Sequence, residues 1–501
     1  SEGEILDDIF FNKGIINFGK DLNYNQTVNI NPKFNIPGLK KFIDLTASYR
    51  VQYGWQASSQ NTSLGSNVGY SSDLQTSAFI KINQIIELFK PNKLQGGAKS
   101  LYQDDDKQSL GNLFKFLGTF IPNQINLTFS QSKSLFNQAV SGRPGFGNFW
   151  MVFNARENLG PSRLYQLGWI TDPGKRVPNV SGLQDRATLN NSVNLSTFIN
   201  PIFPDNLKIS FTYKTNWSSN KNLNYITNSF GILGSPTSVL ESRTITRPSF
   251  FISGDIVDKL AEPDPALSNS EKAKEISNSF ENNFVNFPFP SWNLTLSGVE
   301  KFELFTGFAN SVSIESGYSS DYKKTYTYNG IVPEYIQLQG ITSGFTPLVG
   351  LNISFKPIEG GNLTASLKIS QTDNYDLNPI DARINNTSTS DISVNASYSK
   401  TGFRIPLFGL SLQNDLTIAF SYTRTANDPK LYDYQNGIWN SSIQNGSIST
   451  SINPSIQYAL SKSVTLQLFY KYTKTEPTKG NIQIPTRKSN EAGLNIKLSI
   501  Q

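Results

Sequence analysis

The chain has 501 residues, 12% aromatic and 16% charged, with a net charge of +6 at pH 7, against roughly 25% charged residues in an average soluble domain. It contains neither cysteine nor histidine, which excludes disulfide frameworks, thiolate nucleophiles, Cys- or His-ligated metal sites and the triads that need an imidazole. No Lys/Arg run is long enough for a nucleic-acid arm, so we expect no enzyme, no cofactor, no metal and no nucleic-acid partner.

No apolar run approaches the ~18 to 20 residues of a membrane-spanning helix. Ser1-Glu2-Gly3-Glu4 does not read as a signal peptide, which fits a processed chain or the downstream part of a longer one. After an amphipathic start at 5–11, residues 23–31 read as a polar strand. The first clear strand is 42–56, with Leu45, Ala47, Tyr49, Val51, Tyr53 and Trp55 on one face and Asp44, Thr46, Ser48, Arg50, Gln52 and Gln56 on the other. If one face lies in hydrocarbon, the other looks into a polar lumen and the aromatic end lies at headgroup level.

A strand is expected at 67–83, followed by an insertion at about 85–120 that carries Gly96-Gly97, Asp104-Asp105-Asp106 and a helical spacing of Leu110, Leu113, Phe114 and Leu117. The aspartates lack the glycine and glutamate of a calcium loop and read as solvated loop charges. Strand pattern returns at 123–130, then gives way to a Gly- and Pro-rich insertion at 141–180. A stretch this long is either a surface loop folded back over the rim or a contact surface for a partner or substrate. Strands follow at 189–198, at 206–217, where Leu207, Ile209, Phe211 and Tyr213 oppose Lys208, Ser210, Thr212 and Lys214, and at 239–251.

In the third insertion, 255–286, Ser270, Lys272, Ala273, Ile276, Phe280 and Phe284 predict a short amphipathic helix. It has three possible places: against the rim, in the lumen, or docked on a partner. Trp292, Leu294 and Leu296 lead into the next strands, and 347–425 holds the clearest ones. There Leu351, Ile353, Phe355, Leu363, Leu367, Val394, Tyr398, Phe420 and Tyr422 alternate with small polar residues. A hairpin is expected at 452–473, and Leu494, Ile496, Leu498 and Ile500 make a final strand.

These patterns predict an all-β fold, a transmembrane antiparallel β-barrel or barrel segment over 1–501, with long loops and one or two short helical insertions. Roughly fourteen to eighteen strands are expected, within the range of such barrels. Lumen-facing positions are Arg50, Lys208, Lys214, Lys368, Lys471 and Lys497. Lipid-facing or interfacial aromatics are Tyr49, Tyr53, Trp55, Phe211, Tyr213, Phe355, Tyr398, Phe420, Tyr422, Tyr470 and Tyr472. The partner expected from that pattern is outer-membrane lipid. A soluble two-sheet sandwich shows the same alternation. A soluble surface-adhesive β-protein and a self-contained outer-membrane channel or transporter for small solutes therefore stand beside it. Asn-Xaa-Ser/Thr triplets such as Asn362-Leu363-Thr364 fall inside the expected strands and are explained by their polar faces.

Several irregular stretches carry a resemblance. They are Tyr49-Arg50-Val51-Gln52-Tyr53-Gly54-Trp55-Gln56-Ala57, Arg143-Pro144-Gly145-Phe146, Asp172-Pro173-Gly174-Lys175-Arg176-Val177-Pro178-Asn179 and Phe287-Pro288-Phe289-Pro290-Ser291-Trp292. Val332-Pro333-Glu334, Phe345-Thr346-Pro347-Leu348-Val349-Gly350-Leu351 and Asn414-Asp415-Leu416-Thr417 continue the series. In this order, along nearly the whole chain, they resemble the C-terminal part of the SprA/Sov family, the outer-membrane translocons of the type IX secretion system in Bacteroidetes and their relatives. The resemblance implies a bacterial outer-membrane pore that exports folded cargo proteins to the cell surface and in some relatives supports gliding motility. It also implies a PorV-type barrel and a plug protein as partners. Family members are several times longer, so this wall is expected to be part of a larger barrel.

Overall fold

A computed structural model describes residues 22–34, 36–57, 65–89, 122, 124–142, 149–150, 160–199, 207–249, 260–284, 289–330, 334–407, 410–461, 463–478 and 485–498. The expected 5–11 start, the 104–106 aspartates, the 110–117 helix, Arg143-Pro144-Gly145-Phe146 and Ile500 lie outside these residues.

The fold is all-β, an antiparallel sheet of seventeen strands. They are β1 (Asn23–Ile30), β2 (Ile43–Ala57), β3 (Ser66–Ile80), β4 (Ile125–Val140), β5 (Ser181–Ile199), β6 (Leu207–Ile226), β7 (Ser238–Pro248), β8 (Ser291–Ser297) and β9 (Ala309–Tyr328). Then follow β10 (Tyr335–Phe355), β11 (Asn362–Asn378), β12 (Arg383–Leu407), β13 (Leu410–Gln435), β14 (Ile438–Ile443), β15 (Ser447–Ala459), β16 (Val464–Pro477) and β17 (Arg487–Leu498). Helices are short: α1 (Ile82–Phe89), α2 (Arg163–Gln166), α3 (Asn269–Phe284) and α4 (Glu303–Thr306).

Each strand pairs with its neighbours in chain order, an up-and-down wall. Two lanes are shared. β7 pairs with the upper part of β6 and β8 with its lower part, so the two form one strand position broken in mid-wall by the segment that carries α3. β14 and β15 divide β13 in the same way. Among the described residues, the seventeen strands therefore occupy fifteen lanes. Here "upper" denotes the end where β4 hands over to β5.

The strands are long, up to 25 residues in β12 and 26 in β13, whereas about 9–11 tilted residues cross a bilayer. Their lower halves carry the apolar alternation. In β12 and β13 a polar stretch, Ser388 and Asn386 beside Asp428 and Lys430, separates that alternation from Ile384 and Tyr432 higher on the same face. β10 begins well before the expected 347–355 run. The peptide before Pro347 is cis, and the β10 register shifts between Phe345 and Val349. A residue without an N–H is tolerated in a sheet at such an irregularity.

Two cores cover the apolar-facing side of the upper wall. In one, Ile276 and Phe280 of α3, both fully buried, pack with Leu260 on Tyr322, Ile341, Tyr375, Leu377, Ile384, Tyr432 and Trp439. In the other, Tyr165 of α2 and Leu167 pack on Val51, Tyr53, Trp55, Val68, Tyr70 and Leu135. Of the three places open to the 255–286 helix, the contacts match the first: α3 lies against the upper wall, on the face that carries the apolar rows.

Candidate functional site

Directly opposed residues of an antiparallel pair lie on the same side of a sheet, so a row can be followed from lane to lane. One row runs Ile314, Leu351, Leu367, Val394, Tyr422, Ile452 and Tyr472. One residue away, the next runs Ser313, Asn352, Ser366, Asn395, Ser421 and Asn453. With a side-chain period of two, these rows point to opposite faces. The polar row continues the face that in the first lanes carries Arg50, Asp73, Ser132, Asn190 and Ser218.

Two cavities lie along the polar face. A cavity of 870 Å³ is lined by Asn352, Ser366, Asn395, Ser421 and Asn453 across five lanes, and one of 480 Å³ by Asp73, Ser132, Asn190, Ser218 and Thr244. The opposite face leaves aliphatic and aromatic side chains exposed, among them Leu127, Leu195, Ile418 and Phe420, Ile456 and Leu468. Burial of such groups in hydrocarbon is what a lipid-facing band requires.

Following the registers, all six basic residues, Arg50, Lys208, Lys214, Lys368, Lys471 and Lys497, fall on the polar face. Their carboxylate neighbours were not legible in the sequence, because they come from other strands. Lys368 Nζ lies 2.8 Å from Glu315 Oε1, two lanes away. Between them stands Gly350, where a Cβ would come within 2.8 Å of that oxygen. Arg50 is directly opposite Asp73, and Lys471 is opposite Glu491. Lys208 stands over the Phe198 ring, 5.0 Å from its centroid. Three of the six cations on this face thus stand beside or opposite a carboxylate.

The eleven aromatic positions share the apolar face, but two of them are buried there and a third is half-covered. Tyr53 and Trp55 are only 2% and 7% exposed, and Tyr49 donates its hydroxyl to the Leu167 carbonyl. The cover is the loop between β4 and β5, folded back over the rim. Alternation identifies a face correctly and says nothing about what later packs on it. The loop is pinned by Tyr165, whose hydroxyl donates to Asn137 Oδ1 at 2.7 Å and whose ring meets Tyr70 edge-on at 5.2 Å. Burial raises the Tyr165 hydroxyl far above the usual phenol range, so it stays a donor. Arg176 closes the loop with Nη2 at 2.6 Å from Asp185 Oδ2 and Nη1 donating to the Gln138 carbonyl.

No family model matches this sequence, and no curated protein matches it. Among solved structures, the crystal structure of BauA, the ferric preacinetobactin receptor from Acinetobacter baumannii, aligns with a TM-score of 0.31 and 11% identity. The alignment covers 95% of this chain, which spans 64% of the length of that receptor chain.

Proposed function

We propose that the chain is a wall segment of a bacterial outer-membrane translocon that conducts folded proteins, as the resemblance to the type IX secretion barrels implies. The wall faces lipid with its aliphatic rows, and cargo passes along the Ser/Asn/Thr face. A PorV-type barrel and a plug protein are its partners in this reading.

The observation that carries the reading is the character of the polar face. In β9 to β15 it consists mainly of small, neutral, hydrogen-bonding side chains, and Arg50, Lys368 and Lys471 stand beside or opposite carboxylates. Such a surface stays hydrated and carries few large apolar groups, Phe198 under Lys208 among them, which suits a conduit that must release what it admits. The wall's breadth supports the same reading, because fifteen lanes do not close on themselves by antiparallel pairing, and a wider ring leaves a wider pore.

A photo-crosslinking amino acid at Ser421, in cells exporting protein, is expected to trap secreted proteins, while the same group at Phe420 traps lipid. Crosslinks to small solutes' binding proteins alone, or to no exported protein from either position, would reject the conduit in favour of a solute transporter. Cysteines at Lys368 and Leu367 give a second measurement. A water-soluble thiol reagent should modify residue 368 several-fold faster, and equal rates would sink the two-faced wall.

A further inference from the structure

The β4–β5 loop buries its polar groups inward and leaves apolar ones outside. The carbonyls of Leu167 and Ile170 accept the hydroxyls of Tyr49 and Tyr70, and Tyr165 and Leu167 fill the core beneath. On its outer side Leu164, Trp169 and Ile170 are 43%, 60% and 37% exposed. A loop held this firmly has no need to show an indole to water. Its position indicates what the indole meets.

Gly168, in the left-handed region at φ +77°, brings the tip down to Tyr49 and Ser72. Tyr49 heads a row through Leu74 and Gln131, and two residues lower the row is Ala47, Thr76, Phe129 and Val193. Below that comes Leu45, Ala78, Leu127 and Leu195, three of which are exposed leucines. Same-face rows are about 7 Å apart along a strand, so the tip sits at the upper margin of the apolar band, on the same side of the wall. Indole rings, apolar with one N–H donor, collect at that boundary. Arg163, exposed at the start of α2, adds a cation suited to lipid phosphate.

We propose that this turn is a membrane-interface anchor: Leu164, Trp169 and Ile170 rest in the headgroup and upper acyl layer of a lipid bilayer and set the depth of this side of the wall. They take over the place that Tyr53 and Trp55 would hold if the loop were absent. The inference rests on the reading of the apolar face as lipid-facing.

The test uses the intact protein reconstituted in phosphatidylcholine vesicles with a single nitroxide-labelled cysteine, placed by Trp169→Cys, Phe420→Cys or Phe230→Cys. Phe230, 77% exposed on an upper turn, serves as the aqueous reference and Phe420 as the band reference. The ratio of oxygen to nickel-chelate accessibility at 169 should be several-fold above that at 230 and below that at 420. A ratio at 169 equal to that at 230 overturns the anchor while leaving the wall intact. Protection from both reagents at 169 overturns it too, in favour of a protein contact. An aqueous ratio at 420 overturns the lipid-facing wall itself. Independently, brominated lipid should quench less fluorescence in Trp169→Phe than in the parent, and unchanged quenching would reject the anchor.

Discussion

Gly350 has one nonbonded task on the polar face: its missing side chain lets Glu315 and Lys368 meet across an intervening strand. Gly350→Val should push Glu315 aside and free Lys368, raising the acylation rate of that amine several-fold in a lysine-labelling measurement. The buried Arg176–Asp185 pair is of another kind. Arg176 is 1% exposed at its side chain and Asp185 10%, so removing either partner strands the other away from water. Asp185→Ala should weaken loop docking by about 3–5 kcal/mol, read as faster proteolysis within 160–180, whereas Arg176→Leu combined with Asp185→Leu should cost much less. Neither pair was legible in the sequence. Lys368 and Arg176 are visible as charges, but their partners are set by strand register and by a loop fold, which local patterning does not encode.

At the scale of elements, the alternating runs were legible because each face in them keeps one character, apolar or polar, for the length of the run. The cover over the upper wall was not, because there the apolar face is patched by α3 and by the β4–β5 loop. The periodicity of Ile276 and Phe280 revealed the helix, and only Tyr322, Gln339 and Trp439, gathered from three strands, show where it docks. Gln339 Nε2 donates to the Tyr322 hydroxyl at 2.8 Å and to the Ser277 carbonyl at 3.2 Å, and Glu281 takes Lys324 at 2.6 Å and Arg247 at 3.0 Å. Phe280→Ala should remove about 3–5 kcal/mol of docking energy, seen as loss of amide protection in 269–284 while β15–β17 stay protected. The N-terminus of α3 adds a pH dependence. Glu271 accepts from the Ser268 hydroxyl and backbone N–H at 2.6 and 3.0 Å, a reciprocal cap that lowers its carboxyl below the usual range. A lowered carboxyl contributes stability above its ordinary pKa and loses it as pH falls through the lowered one. Protection of the first turn of α3 should therefore fade below the usual glutamate range, and Glu271→Gln should flatten that profile.

At the scale of the molecule, direction counts for more than number. β1 and β17 both run from the upper end downward, since Asn23 pairs with Gln56 and Arg487 with Thr475 at the top of their lanes. Among the described residues, β1 pairs only with β2 and β17 only with β16; β17 is largely exposed on both faces and β1 on one. An up-and-down sheet with an odd number of lanes brings two edges of like direction together, and direct antiparallel closure between them is impossible. Antiparallel closure of a ring then requires an odd number of strands between β17 and β1, and an exposed edge with free N–H and C=O groups is a template for them. Disulfide scanning reads this directly, because a disulfide needs Cα atoms within about 7 Å. In the intact protein, Ser421→Cys with Asn453→Cys, opposed in adjacent lanes, should oxidise readily. Thr27→Cys on β1, paired in turn with Ser489→Cys, Glu491→Cys and Asn495→Cys on β17, should yield no disulfide in any combination. Efficient oxidation of one of these pairs would mean that the edges meet in parallel and that the fifteen lanes form a complete ring, too narrow for the passage of folded proteins.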